Sequence, residues 1–172
     1  MKLFNKGYIF LAAATLILAA APAKAQTTYT CVLTGASENP VNASSATGSA
    51  TVVLNAAQTQ LTISCQFHNL LGTYTASHIH AAALPGVNAG VRFGFVGVSA
   101  GWVFSNANHD GVLTNFIAAG VTPADVANLN NGLDYVNVHS NLFPGGEIRG
   151  QLAVAQVPTE NATWGRVKAL YR

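Results

Sequence analysis

The chain has 172 residues, of which 50% are hydrophobic and only 8% are charged, and its formal net charge at pH 7 is +2. Charges this sparse exclude the basic patch of a nucleic-acid-binding protein and the acidic tail of a solvated, disordered one. The length is sufficient for one domain with a single hydrophobic core.

The first 25 residues have the features of a secretory signal peptide. Lys2 and Lys6 supply positive charge, an apolar run extends from residue 8 to 21, and residues 23–25 form a small-x-small cleavage site. A membrane anchor is the alternative, but the run is shorter than the ~20 residues that a membrane span needs. We therefore expect cleavage after Ala25 and a secreted, periplasmic or cell-surface protein without a membrane span.

The remainder of the sequence predicts one β-rich domain over residues 26–155. Stretches of β-branched and apolar residues alternate with turn-forming residues, which is typical of a β-sandwich or a β-barrel. Strands are predicted near residues 27–35, 47–55, 59–68, 74–81, 90–97, 101–105, 111–117, 133–139 and 147–154.

One short helix is predicted to interrupt these strands, just before the last but one. Thr122 is a suitable N-cap, Pro123 occupies the first helical position, Asp125 lies in the first turn, and Gly132 stands where a helix stop is expected. The helix is too short for more than two or three turns. It is expected to lead the chain into the strand that ends at His139.

Residues 156–172 are predicted to be a linker followed by a short basic segment. Helical spacing would place Trp164, Val167 and Leu170 on one side of that segment. A packed or frayed terminal helix and an attachment signal recognised during export are both compatible with this pattern.

The two cysteines are predicted to point toward the apolar side of their strands. Cys31 shares a strand face with Leu33, and Cys65 shares one with Ile63. In an exported chain this arrangement predicts a Cys31–Cys65 disulfide. Two inert buried thiols are the alternative.

Three histidines form the sharpest chemical pattern in the sequence. Side chains alternate across a strand, so His78 and His80 leave one face while Ile79 leaves the other. His139 lies on the polar face of a later strand, together with Asn137. If the two strands lie near each other, three imidazoles converge, and neutral imidazole is a good ligand for copper or zinc. His78, His80 and His139 are therefore a predicted metal site, with a structural hydrogen-bonded network as the alternative.

Three further polar residues are predicted to surround this site. The hairpin that follows His139 would bring Asn137 near Glu147 and Arg149. Arg149 would attract an anion to the metal or steer a substrate, unless Glu147 and Arg149 form a surface ion pair. No residue is predicted to be catalytic, because the sequence has no nucleophile elbow, no phosphate-binding glycine loop and no acids at a spacing that forces them together.

Several motifs resemble those of the chordin (CHRD) domain, and the likeness covers roughly residues 28–153. They are LTGASENP at 33–40, TGSATV at 47–52, HIH at 78–80 with PGVN at 85–88, LDYVNVH at 133–139 and PGGEIRGQL at 144–152. In chordin such domains belong to an extracellular antagonist of growth factors. The resemblance implies an extracytoplasmic binding or structural module whose partner is an extracellular or envelope protein, and which is not an enzyme.

A second, weaker similarity is to Cu/Zn superoxide dismutase. Residues 61–70 and the following HIH motif resemble a strand, a turn and a His-Val-His motif whose two histidines bind copper in that enzyme. His139 and Arg149 would correspond to a later copper ligand and to an arginine on a loop, whereas no counterpart of the zinc site follows His80. The two resemblances imply an all-β, superoxide-dismutase-like Greek-key sandwich. The alternative function is copper or zinc binding, for redox chemistry or metal carriage.

Overall fold

A computed structural model of the protein describes residues 24–156. The predicted signal peptide lies outside the described residues except for its last two positions, and the predicted basic segment that follows residue 156 lies wholly outside them. Within the described part of the chain, no helix has both the length and the apolar character needed to cross a membrane.

The described residues form ten strands and one α-helix, which confirms the predicted all-β fold class. The sequence also predicted the position of the single helix correctly. The elements are β1 (Thr27–Thr34), β2 (Thr47–Leu54), β3 (Gln60–His68), β4 (Tyr74–Ala81), β5 (Gly90–Gly94), β6 (Val103–Ser105), β7 (Asp110–Ala119), α1 (Pro123–Asn130), β8 (Tyr135–Ser140), β9 (Ile148–Gln151) and β10 (Ala153–Val154).

The strands build one curled antiparallel sheet in the order β5-β4-β8-β9-β1-β2-β3-β7-β6, and β10 pairs with β1. Strands that are distant in the sequence are neighbours at four places: β4 with β8, β9 with β1, β10 with β1, and β3 with β7. One apolar cluster contains residues from both ends of this order, among them Ile79 of β4, Val138 of β8 and Ile63 of β3. The curl therefore closes the sheet around a single core.

The last predicted strand is divided in two by Leu152. This residue is fully buried, and its backbone N–H donates to the carbonyl oxygen of Asp134. The backbone of Leu152 is thus drawn toward the start of β8, and strand pairing with β1 resumes only at β10. The sequence IRGQLAV at residues 148–154 has no proline or other chain-breaking signal at Leu152 that would indicate this interruption.

The helix α1 begins as its sequence predicts. Thr122 accepts a hydrogen bond from the backbone N–H of Asp125, and the Asp125 carboxylate accepts one from the backbone N–H of Thr122, which completes a capping box. The Arg92 side chain of β5 donates two hydrogen bonds to the same carboxylate, at 2.6 and 2.7 Å. These contacts hold α1 against β5 of the sheet.

The predicted Cys31–Cys65 disulfide is wrong, because both cysteines are free thiols. Cys31 of β1 and Cys65 of β3 both pair with Ala50, so β2 lies between them. Two strand spacings of ~4.8 Å separate their Cα atoms by about 9–10 Å, whereas a disulfide requires no more than ~6.8 Å. The sequence indicated correctly which face each cysteine occupies, but it did not reveal the intervening strand.

The face of β8 that lies opposite the core is also buried. Val136 and Val138 point into the apolar cluster, whereas Tyr135, Asn137 and His139 lie on the other face and are at most 9% exposed. Three loops cover this second face: residues 35–46, residues 82–89 and residues 141–147. The polar face of β8 thus forms a small polar interior outside the main core.

Candidate metal centre

Strand register brings the three predicted histidines together. In the β4–β8 pair, His78 lies opposite Asn137, and His139 lies opposite Ala76, so both β4 histidines face the His139 side chain of β8. The ring centroid of His78 is 5.1 Å from that of His139 and 5.6 Å from that of His80. One potential ligand atom from each of the three residues lies within 4.8 Å of the others.

Backbone carbonyls determine which nitrogen of two of these rings carries the proton. His80 Nδ1 is 2.9 Å from the carbonyl oxygen of Ala89, and His139 Nδ1 is 3.0 Å from that of Pro144. A carbonyl oxygen can only accept, so each Nδ1 must be the donor, and the hydrogen-bond network assigns the lone pair to each Nε2. Histidines that bind metals are typically held in this way by a hydrogen bond at the other ring nitrogen.

The third ring completes the cluster with a spacing that suits metal ligation. His78 Nδ1 lies 3.3 Å from His139 Nε2. Two nitrogen ligands at ~2.05 Å from a tetrahedral ion are themselves about 3.3 Å apart. In the absence of an ion, His78 donates this hydrogen bond to His139.

The Nε2 atom of His80 is buried and has no hydrogen-bond partner among the described residues. A buried polar atom left without a partner costs roughly 1–3 kcal/mol. An ion held by all three rings would satisfy it, and would draw the ligand atoms, which lie within 4.8 Å of one another, to about 3.3 Å apart. Three imidazole nitrogens are a donor set that suits a transition-metal ion.

The environment of the cluster keeps its imidazoles neutral. Burial, together with the nearby His139 and His80, lowers the pKa of His78 to about 4. Burial also lowers the pKa of His80 and the pKa of His139. At neutral pH all three rings therefore carry the lone pairs that metal ligation requires.

Glu147 lies near the cluster but does not pair with Arg149. It is fully buried, and its carboxylate accepts hydrogen bonds from the Ser44 and Ser140 hydroxyls and from the backbone N–H groups of Leu71 and Gly72. The surface ion pair considered from the sequence is therefore wrong. Glu147 instead joins three segments of chain beside the end of β8.

Arg149 is 1% exposed and is directed at the protein itself. Its guanidinium carbon lies 3.4 Å above the ring centroid of Tyr135, and its terminal nitrogens donate to the Val87 carbonyl oxygen and the Asn88 side chain. This placement does not match the expected role in attracting an anion from solvent.

Tyr135 is a residue of the site that the sequence did not indicate as functional. Its alternation with Asn137 and His139 places it on the same polar face of β8.

Asn137 occupies the place predicted for it, beside an acid that the sequence did not indicate. Asn137 and Glu38 both crowd Gly146, where an added Cβ would lie within 2.6 Å of an oxygen of each side chain. Burial raises the pKa of Glu38 to about 7, although the positive charge of Arg149 acts in the opposite direction. Glu38 lies on a loop that folds over the sheet, and no spacing in the sequence connects it to β8.

The remaining two histidines of the chain lie apart from the cluster. His68 is exposed at the end of β3, 3.8 Å from a carboxylate oxygen of Asp110. His109 follows a short turn and bonds to the carbonyl oxygen of Leu70.

The fold and the histidine cluster together define a closed all-β domain that carries a candidate metal centre. A family model of the CHRD domain matches residues 29–152, which is most of the chain. The protein therefore belongs to the CHRD-domain family. Comparison with curated proteins and with solved structures gave no match.

Proposed function

We propose that this CHRD-domain protein binds one copper or zinc ion through His78, His80 and His139. The observation that carries the proposal is the convergence of three neutral imidazoles with a buried, unpartnered Nε2 on His80. The sequence alone favoured a binding or structural module. The geometry of the cluster supports metal binding as the first candidate.

The donor set indicates how the chain would hold the ion. His80 and His139 are fixed by backbone carbonyls, whereas His78 is only partly buried, so the ion would enter on the His78 side. Three nitrogen ligands suit both copper and zinc, and they leave one coordination position open. A bound copper ion would supply one-electron redox chemistry, and a bound zinc ion would supply Lewis acidity or simple carriage of the metal.

Calorimetric titration with Zn²⁺ and with Cu²⁺ tests the proposal. The wild type should bind one equivalent, and His78→Ala and His139→Ala should each lose that site. His68→Ala is the matched control, because it removes an exposed imidazole outside the cluster and should leave binding unchanged. Absence of saturable binding by the wild type at micromolar metal would refute the proposal.

We also propose that the protein is exported and cleaved before it binds the metal. The proposal is supported by the signal-peptide features of residues 1–25 and by the start of the family match at residue 29. Mass spectrometry of the native protein should find the mature form starting at Gln26 in the secreted or envelope fraction. Recovery of the uncleaved chain from the cytoplasm would contradict export.

A second candidate function is binding to an extracellular or envelope protein through the outer face of the sheet. One cross-strand row on this face has no charged side chain, and it consists of Val32, Ser49, Gln66, Val112 and Val103. Its three valines are 44–72% exposed, and exposed apolar side chains grouped in this way are typical of an interaction surface.

Charged substitutions on this row separate the two functions. A partner that docks here should be recovered from native envelope by the wild type and by His78→Ala, but not by a Val32→Asp/Val103→Asp double variant. Equal recovery by all three proteins would refute docking on this row.

A further inference from the structure

The orientation of His80 depends on one loop, residues 82–89, which we call the clamp loop. The loop joins β4 to β5, and its last residue supplies the carbonyl oxygen that accepts from His80 Nδ1 at 2.9 Å. If Ala89 moves, His80 loses the hydrogen bond that fixes its tautomer. The tautomer that leaves the lone pair on its Nε2 would then no longer be fixed.

Most of the clamp loop is exposed, yet its last three residues are held by two buried side chains. Arg149 donates to the Val87 carbonyl oxygen at 2.6 Å and to the Asn88 Oδ1 atom at 3.1 Å. The Ala89 backbone N–H donates to the Tyr135 hydroxyl at 3.0 Å. Arg149 and Tyr135 belong to the neighbouring strands β9 and β8, so they connect the loop to the interior of the sheet.

The same two side chains also fix the plane of the His80 ring. The Tyr135 ring stacks on His80 with a centroid distance of 4.7 Å and an interplanar angle of 2°, and the Arg149 guanidinium lies against the Tyr135 ring. Arg149 thus acts on His80 by two routes, through the stack and through the clamp loop. A planar guanidinium can stack flat on an aromatic ring while the N–H groups at its edge donate to two acceptors, whereas an ammonium group is not planar and cannot stack in this way.

We infer that Arg149, acting with Tyr135, is a positioning residue that holds His80 in the tautomer and orientation required for metal ligation. The inference rests on the proposed metal binding and assigns no metal contact to Arg149. It also accounts for the burial of a guanidinium beside three neutral imidazoles, since the group is needed there to hold the clamp loop.

The test compares the metal-free and metal-titrated forms of the wild type, Arg149→Lys, Tyr135→Phe and Asn88→Ala. Long-range ¹H–¹⁵N spectra of the metal-free protein report the tautomer of each imidazole. We expect His80 to be fixed in the Nδ1–H form in the wild type and to become a mixture in the variants. His139, which is held by Pro144, should remain unchanged and serves as an internal control.

Zinc titration of the same proteins supplies the second readout. Arg149→Lys should bind Zn²⁺ about 10- to 100-fold more weakly, as is usual when a residue that supports a ligand is lost. Arg92→Lys is the matched control, because Arg92 bonds to Asp125 and to the Gly120 carbonyl oxygen. This variant should lower the melting temperature without changing zinc affinity. If Arg149→Lys does not fold, Tyr135→Phe and Asn88→Ala still provide the comparison.

The outcomes separate this inference from the proposed function. An unchanged His80 tautomer in the folded variants, equal changes in His80 and His139, or unchanged zinc affinity would overturn the positioning role while wild-type binding stands. A wild type that binds neither Zn²⁺ nor Cu²⁺ would overturn both, whatever the tautomers show.

Discussion

His78 and His139 are 61 positions apart in the chain, yet Nδ1 of the first lies 3.3 Å from Nε2 of the second. The contact exists because β4 pairs with β8 near one end of the curled sheet. The candidate site is therefore divided between two strands that only the folded chain brings together. Any ligand that bridges these residues must stabilise the fold as a whole.

Metal addition should raise the melting temperature. An ion that binds only the native state adds about 2.7 kcal/mol when its free concentration is 100 times the dissociation constant, which corresponds to several degrees for a domain of this size. Thermal unfolding with Zn²⁺, and again after addition of a chelator, measures the effect. His78→Ala should show no shift, and an equal shift in that variant would place the ion elsewhere.

The cysteines should be free and unreactive in the native protein. Burial raises the pKa of the Cys31 thiol to about 12 and also raises the pKa of Cys65, so the nucleophilic thiolate is scarce near neutral pH. Alkylation should be slow under native conditions. After denaturation without a reductant, alkylation should label both cysteines. If neither cysteine is labelled, the two are joined by a disulfide and the assignment of free thiols is wrong.

Asp125→Asn should destabilise the protein by about 1–2 kcal/mol at pH 7, because it weakens the helix cap and removes an ion pair. The hydrogen bonds from Arg92 lower the pKa of Asp125 to about 2, below the unfolded value of ~3.9. The contribution of the carboxylate is therefore complete above about pH 4 and is lost as the pH falls through about 2. Urea unfolding at a series of pH values should show the difference from wild type shrinking over that range. A constant difference would contradict the assignment.

Asp134 should affect stability with the opposite dependence on pH. Its side chain is fully buried, and burial together with the nearby Asp125 raises its pKa to about 7. The folded chain then binds more protons than the unfolded chain between about pH 4 and 7, so this carboxyl lowers stability as the pH rises through that window. Asp134→Asn should remove that part of the slope in urea unfolding. An unchanged slope would show that folding does not raise the pKa of this carboxyl.

Gly150→Ala should destabilise the protein by about 1–3 kcal/mol, because a methyl group there would overlap the backbone carbonyl of Val32 on the neighbouring β1. Gly145→Ala is the matched control, since a Cβ at that position meets no atom within 4 Å. Urea unfolding of both variants provides the comparison. Equal stabilities would mean that β9 and β1 are less tightly packed than the structure shows.

The sequence predicted features that depend on local periodicity. Alternation identified the strands and placed His78, His80 and His139 on polar faces, and capping residues identified the helix. Features that depend on the order of the strands were not accessible in this way. The two cysteines occupy the predicted faces, but β2 lies between them.

The environment of Arg149 shows the same limit. Its partners are a backbone carbonyl and an amide on an exposed loop about 60 residues earlier, and neither has a recognisable spacing from the arginine. From the sequence alone, Arg149 is therefore expected to face solvent beside the predicted metal site. The structure shows that Arg149 faces the protein, because the clamp loop folds over its guanidinium.

The decisive measurement for the His78–His80–His139 site is metal analysis of the mature protein. The protein is purified without a histidine tag and incubated with micromolar Zn²⁺ or Cu²⁺ before gel filtration. We expect close to one equivalent of metal per chain, and its loss in a His78→Ala/His139→Ala double variant. A wild-type protein that elutes without bound metal, or a double variant that retains it, would contradict the assignment of this site.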